Sequence, residues 1–276
     1  MDHDACYRAL ATRDPRFDGR LFVAVKTTGI YCRPICPART PKRENVLFFT
    51  SAAGAHAAGY RPCLRCRPET APDLGAWRGT CNTVSRALAL IEAGALDGAG
   101  VERLAGRLGV GGRQLSRLFR RHLGASPTAV AQTRRVLLAK QLIHQTRLPM
   151  GEIALASGFG SVRRFNETFQ QLYRRPPASL RRAGGEATPL SPGDRLSLTL
   201  SYRAPYDWNA LIGFLAMRAI AGVETVSAAG YARSIAVGAE VGVLEVAPTA
   251  GSRLTASIRF SRLGALPTIV ARVRGV

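Results

Sequence analysis

Apolar residues follow different rhythms in different parts of the chain. In VERLAGRL (101–108), Val101, Leu104, Ala105 and Leu108 recur at helical spacing and share one face. A Gly-Val step breaks the rhythm. GRQLSRLFRRHL then restores it, with Leu115, Leu118 and Phe119 inward. About fifty residues later the design recurs: GEIALAS, then GFGS, then VRRFNETFQQLY with Phe165, Phe169 and Leu172 inward. Ala105-xxx-Gly109 matches Ala154-xxx-Gly158, and Phe119 and Phe169 each lie eight residues before a proline, Pro127 and Pro177. The pattern predicts helix, tight turn, helix, built twice. A small alanine lets each pair of helices approach, and glycine takes the turn.

Further on the period changes. RLSLTLSY alternates like a strand, DWNALIGFLAMRAI reads as a helix with Asp207 as its N-cap, and YARSIAV and LTASIRF are short strand-like runs. RPETAPDLG (67–75) and RRAGGEATPLSPGD (181–194) are rich in Pro, Gly, Ser and Thr and read as linkers. They divide the 276 residues into domains at 1–75, 80–183 and 194–276.

Charge sharpens this division. Lys and Arg number 39 against 18 Asp and Glu, a net charge of +21, and all but Lys26, Lys42 and Lys140 are arginine. Residues 76–184 alone hold 18 basic residues against five acidic ones. Codon usage in a GC-rich genome explains arginine in place of lysine but not the excess over acids. Arginine grips phosphates bidentately, so a nucleic-acid partner is expected. Hydrophobic residues at 46% exclude wholesale disorder. MDHDACYRAL has neither a basic nor an apolar leader region, and no run of about 18 apolar residues exists. A cytoplasmic, nucleoid-associated protein with reduced cysteines is therefore expected.

The second helix of each repeat offers an exposed polar face. In the first repeat that face is Arg113, Gln114, Ser116, Arg117 and Arg120. In the second it is Ser161, Arg163, Arg164, Asn166, Glu167 and Gln170. Such residues bond base edges and phosphates in a major groove. The stretch GFGSVRRFNETFQQLYRRPPASLRR (158–182) resembles the signature of AraC-type DNA-binding domains. It departs from that family in showing Arg-Arg-Pro-Pro where a Gly before Ser/Thr-Pro is usual, which changes a loop and leaves the helix in place.

The candidate chemistry lies in the first segment. Cys32-x3-Cys36 and, after a gap of 26 residues, Cys63-x2-Cys66 form a four-thiolate metal pattern. Zinc takes four soft ligands in a tetrahedron, and two short loops deliver two each. Cys6 and Cys81 stand outside the pattern and read as small core residues. Arg33, Arg39, Lys42 and Arg43 flank the first pair, and Arg61, Arg65 and Arg67 the second. Zinc keeps its thiolates deprotonated near neutral pH, so such a site near DNA holds a standing nucleophile.

DPRFDGRLFVAVKTTGIYCRPICPARTPKRENVLFFTSAAGAHAAGYRPCLRCRPE (14–69) closely resembles the N-terminal domain of the Ada family, with TTGIYCRP, C-x-ARxxxREN and GYRPCxRCRP as a specific set. The resemblance implies one zinc ion on Cys32, Cys36, Cys63 and Cys66. It implies that Cys32 irreversibly accepts a methyl group from the Sp diastereomer of a DNA methylphosphotriester; spacing alone does not choose Cys32 among the four. It further implies DNA contacts around the site, for which Thr28, Arg33, Arg39, Arg43, Arg61 and Arg65 are the candidates. The methylated form would activate transcription of alkylation-repair genes, with RNA polymerase as a partner.

LSLTLSYRAPYDWNALIGFLAMRAIAGVETVSAAGYARSIAV (196–237) resembles the N-terminal domain of AlkA-type 3-methyladenine DNA glycosylases, a small antiparallel sheet with helices. In such glycosylases catalysis lies in a later helix-hairpin-helix domain, so base excision by these 276 residues is not expected. The fold class that follows is multidomain α+β: a small four-cysteine zinc α/β domain, an all-α tandem helix-turn-helix domain, and a small α+β domain with an antiparallel sheet. Two other functions stay open, the front part of a fusion glycosylase and a plain AraC-type regulator with a structural zinc.

Overall fold

The computed structural model describes residues 2–71, 82–181, 194–202 and 204–275. Cys81, residues 72–75 of the first expected linker and 182–193 of the second lie outside the described residues.

The chain opens with α1 (His3–Ala11), capped by the Asp2 carboxylate, which accepts from the Asp4 and Ala5 amides at 3.1 and 3.3 Å. Strands β1 (Phe22–Val25), β2 (Ile30–Cys32) and β3 (Val46–Phe49), helix α2 (Ala52–Ala57) and the short β4 (Arg61–Pro62) complete the first unit. The sheet order is β3-β1-β2-β4, with β2 and β4 parallel and the other pairs antiparallel. Gly29, at φ +64°, makes the turn that returns the chain from β1 to β2. The main core of this unit is small: Phe22, Ala24, Tyr31, Ala52 and Ala55, joined by Leu137 from a later helix.

Helices α3 (Asn82–Glu92), α4 (Val101–Arg107), α5 (Gly112–Leu123), α6 (Pro127–Gln145), α7 (Met150–Ala156) and α8 (Val162–Tyr173) form the middle. The two predicted repeats are α4–α5 and α7–α8. Ala105 and Ala154 are fully buried where each pair meets, and Gly109 (φ +70°) and Gly158 (φ +88°) take the turns. Leu115, Phe119, Phe165 and Phe169 are buried; Leu118 and Leu172 lie at the margin, half-buried. The repeats differ at their ends. Gly124 (φ +69°) closes α5, whereas Arg174 closes α8 in the same left-handed conformation (φ +57°). Replacing glycine by arginine there left α8 as long as α5, at the steric cost of a Cβ in that conformation.

The last segment builds β5 (Leu196–Ser201), α9 (Trp208–Ala216), β6 (Glu224–Ser227), β7 (Gly230–Val237), β8 (Glu240–Thr249), β9 (Arg253–Phe260) and α10 (Leu266–Arg274). Asp207 caps α9, accepting from the Ala210 amide at 2.9 Å. The sheet is antiparallel throughout, in the order β5-β9-β8-β7-β6. The multidomain α+β class is thus observed, but the segments are not separate bodies. Phe165, Phe169 and Tyr173 share one continuous core with Leu196, Leu198, Leu200, Leu254, Ile258 and Ile269. Gln145 pairs with the edge strand β5 as a further strand would: its Oε1 accepts from the Thr199 amide at 2.9 Å and its Nε2 donates to the Thr199 carbonyl at 3.4 Å. Helix α6 is the common spine, with Leu137 in the first core and Leu138 and Leu142 in the last.

Among the described residues no helix is long and apolar enough to cross a membrane.

Candidate metal centre and nucleic-acid interface

Two adjacent strand ends create the metal centre. Cys32 closes β2, in register with Val23, and Cys63 follows β4 directly, its amide donating to the Tyr31 carbonyl at 3.0 Å. Because β2 and β4 run parallel, both cysteines leave the sheet at the same edge. Each then starts a tight loop that returns the second cysteine of its pair; Cys36 donates its amide to the Arg33 carbonyl at 3.1 Å. The four Sγ atoms lie within 4.8 Å of one another. A tetrahedron with zinc–sulfur bonds of about 2.3 Å has edges of roughly 3.8 Å, so the donor set fits a zinc ion in size and softness.

Two amides donate to sulfur, Arg33 N to Cys66 Sγ and Arg65 N to Cys63 Sγ, both at 3.3 Å, an arrangement that favours thiolates. Without a cation the four thiols compete for protons. Hydrogen bonding with Cys36, Cys63 and Cys66, reinforced by burial, pushes the Cys32 thiol well up, while its contact with Cys32 pulls Cys63 down. A divalent cation bound to all four removes that competition. As whole residues Cys36, Cys63 and Cys66 are buried and Cys32 is half-buried. Cys6 packs with Ala9 and Leu21, away from the cluster.

The flanking arginines divide. Arg33 is only 8% exposed, and its Nε donates to Asp18 Oδ1 at 2.7 Å and its Nη1 to Thr70 Oγ1 at 2.8 Å. It is a strut under the cysteine loops, buried and engaged through four of its five N–H donors, which differs from the exposed phosphate grip expected of it. Arg61 is half-buried, its guanidinium 5.8 Å from the Tyr173 ring centroid, so it ties the cluster's sheet to the end of α8. Arg43 pairs with Asp4 on the surface. Thr28, Arg39 and Arg65 are exposed.

On the two second helices, Arg113, Gln114, Arg117 and Arg120 of α5 and Arg163, Arg164, Asn166 and Gln170 of α8 are exposed; Ser116 is half-buried. Ser161 caps α8, its Oγ accepting from the Arg164 amide at 3.2 Å. Arg163 bonds Glu167 at 2.8 Å, one turn along. The second helix face is therefore partly self-paired, and the first is the more freely cationic.

Sequence reasoning missed a buried ion pair beside the metal centre. Lys140 Nζ bonds Glu69 Oε2 at 2.6 Å and the Cys63 carbonyl oxygen at 2.8 Å. Burial pulls the Lys140 ammonium down, and Glu69 opposes that pull. The available signal was one of three lysines standing inside the apolar run VLLAKQLI.

Three family models match this chain: the metal binding domain of Ada over residues 5–69, a helix-turn-helix domain over 104–183, and the AlkA N-terminal domain over 197–276. A probable bifunctional transcriptional activator/DNA repair enzyme AlkA of Mycobacterium tuberculosis is 42% identical over 250 residues, covering 90% of this chain and 50% of that protein. This chain thus spans about half the length of that relative. The bifunctional transcriptional activator/DNA repair enzyme AdaA of Bacillus subtilis is 31% identical over 183 residues, covering 66% of this chain and 83% of AdaA. A crystal structure of a methylated N-Ada/DNA complex is 36% identical and covers 49% of this chain and 99% of its own, with a TM-score of 0.25.

Proposed function

This chain belongs to the Ada family, and on that premise we propose that it repairs and senses alkylated DNA. Cys32 accepts a methyl group from a DNA methylphosphotriester, and the methylated chain activates transcription of alkylation-repair genes. The observation that carries the reading is the convergence of four cysteine sulfurs at one point, on a unit packed against tandem helix-turn-helix units.

When bound by Cys32, Cys36, Cys63 and Cys66, zinc keeps all four sulfurs deprotonated at neutral pH. The Cys32 Sγ lone pair attacks the methyl carbon of the triester. A sulfur–carbon bond forms as the carbon–oxygen bond breaks, and the bonding electrons stay on the phosphate oxygen. The products are an ordinary phosphodiester and S-methyl-Cys32, with no proton transferred. Regenerating Cys32 would require a second nucleophile to take the methyl from an unactivated thioether with thiolate as the leaving group, so each molecule acts once. Arg33 and Asp18 hold the loop that carries the nucleophile. Thr28, Arg39 and Arg65, exposed near the cluster, are assigned to phosphate contacts.

The methyl transfer also removes one negative charge from the sulfur set. Repulsion of backbone phosphates falls, a change on the order of 1–3 kcal/mol for one unit charge a few ångströms away. That gain is the proposed signal, read out through Arg113, Gln114, Arg117 and Arg120 on α5 and Arg164, Asn166 and Gln170 on α8. Duplex DNA and RNA polymerase are the partners the reading requires. No base excision is assigned to residues 194–276, whose match is to the AlkA N-terminal domain.

Duplexes carrying a single Sp or Rp methylphosphotriester with a labelled methyl test the chemistry. The expected result is one methyl per protein from the Sp duplex, none from the Rp duplex, and no turnover. Transfer that continues past one equivalent contradicts it.

A further inference from the structure

Lys140 lies in mid-helix among Leu137, Leu138, Leu142 and Ile143, and its side chain is 0% exposed. A lone buried ammonium there costs several kcal/mol unless it is paired and hydrogen-bonded. Its partners come from the first unit. Glu69, 1% exposed, accepts from Lys140 on one carboxylate oxygen and from Arg67 Nε at 3.1 Å on the other. The remaining Lys140 contact is the backbone carbonyl of Cys63, one of the four sulfur ligands. The next residue of α6, Gln141, donates to the Thr199 carbonyl of β5 at 3.1 Å. Arg274 of α10 donates to the Glu69 carbonyl at 3.3 Å. The loop carrying Cys63 and Cys66 is therefore anchored to the spine of the molecule by a buried charge where apolar packing would cost less.

The geometry points to Lys140 as a positioning residue of the metal centre: from α6 it fixes the Cys63–Cys66 loop, so that the state of the four-sulfur cluster and the order of α6 change together. This rests on reading the cluster as the zinc-held methyl acceptor. Helices α5 and α8 both pack on α6, through Ala131 in the core shared with α5 and through Gln132, whose Nε2 donates to Thr168 Oγ1 at 3.2 Å. A change at the cluster thus reaches the DNA-reading helices through one element. Linkage makes the effect reciprocal: bound DNA should tighten zinc binding by the factor by which zinc tightens DNA binding.

The test uses the full chain and the double variant Lys140→Met/Glu69→Gln, which removes both charges at similar volume. Hydrogen exchange of amides 136–145 is followed with zinc bound and after chelation. In the unaltered protein, chelation should accelerate exchange roughly tenfold or more; in the double variant, about twofold or less. Cobalt substitution should show four-sulfur ligation in both. A contact that only fills space leaves the zinc dependence unchanged, because Leu137 and Thr133 still touch the first unit. Equal acceleration in both proteins, or none in the unaltered one, overturns the inference. Should the double variant fail to fold, the 15N resonance of Lys140 Nζ decides in the unaltered chain: a shift on chelation supports the link, and an unchanged resonance overturns it. An unaltered chain with zinc-dependent exchange that takes no methyl refutes the methyl-acceptor reading and leaves the Lys140 link supported.

Discussion

Residues 2–71 and residues 82–181 are ordered by different forces. The helical middle buries Leu104, Leu115, Phe119, Leu142, Phe165 and Phe169 in cores that need no cofactor. The first unit has a four-strand sheet of short strands, a main core of five of its own residues, and four cysteines that converge on one point. Below a certain core size a metal supplies what apolar burial cannot. The difference teaches that the same sulfurs have two tasks. On the proposed reading they hold the unit together, and one of them, Cys32, also takes the methyl group.

The contrast is broken most severely by removing the metal. Chelation, or Cys63→Ser, should unfold residues 2–71 and leave the middle helices protected except for residues 136–145 of α6, since structural zinc contributes on the order of 10 kcal/mol or more in small modules. Exchange protection per peptide reads this directly, and a first unit still protected without metal would sink the contrast. Cys6→Ser should cost far less, because Cys6 only packs with Ala9 and Leu21.

Next in size is the join between the two regions. Lys140→Met alone strands Glu69 in the interior with Arg67 as its remaining side-chain partner and should cost about 3–5 kcal/mol in urea denaturation. A loss near zero would mean that water reaches Glu69.

Smaller effects separate reading from reacting. Arg117→Ala or Arg164→Ala should each weaken promoter binding by about 1–3 kcal/mol and flatten its salt dependence, while methyl uptake stays unchanged. Equal losses of uptake would merge the two tasks. Smallest is Arg174→Gly, which relieves the left-handed cap of α8 and should stabilise the chain by about 0.5–1 kcal/mol in thermal or urea unfolding. No gain would show that the arginine side chain makes up for its backbone.

Local structure was legible in the sequence because its signals are local. Ala105-xxx-Gly109 and Ala154-xxx-Gly158 fixed two turns, Asp207 announced α9, and the cysteine spacing announced the metal centre. Contacts across the chain were not legible. Arg33 beside Cys32 looked like a phosphate grip, and nothing nearby pointed to Asp18 as its partner. Leu196, Leu198 and Leu200 alternate as a half-buried strand must, but alternation does not say that the face they cover belongs to Phe165 and Phe169. Linker composition marks where a chain is polar. It cannot tell whether the segments on either side share a core, as the second helix pair and the last sheet do.

The central claim is that Cys32 is the methyl acceptor, and peptide mass mapping after incubation with methylphosphotriester DNA tests it most directly. The account predicts one added methyl group on the peptide holding Cys32, and no addition with unmodified DNA. A methyl group on Cys66, or on no cysteine at all, would contradict it.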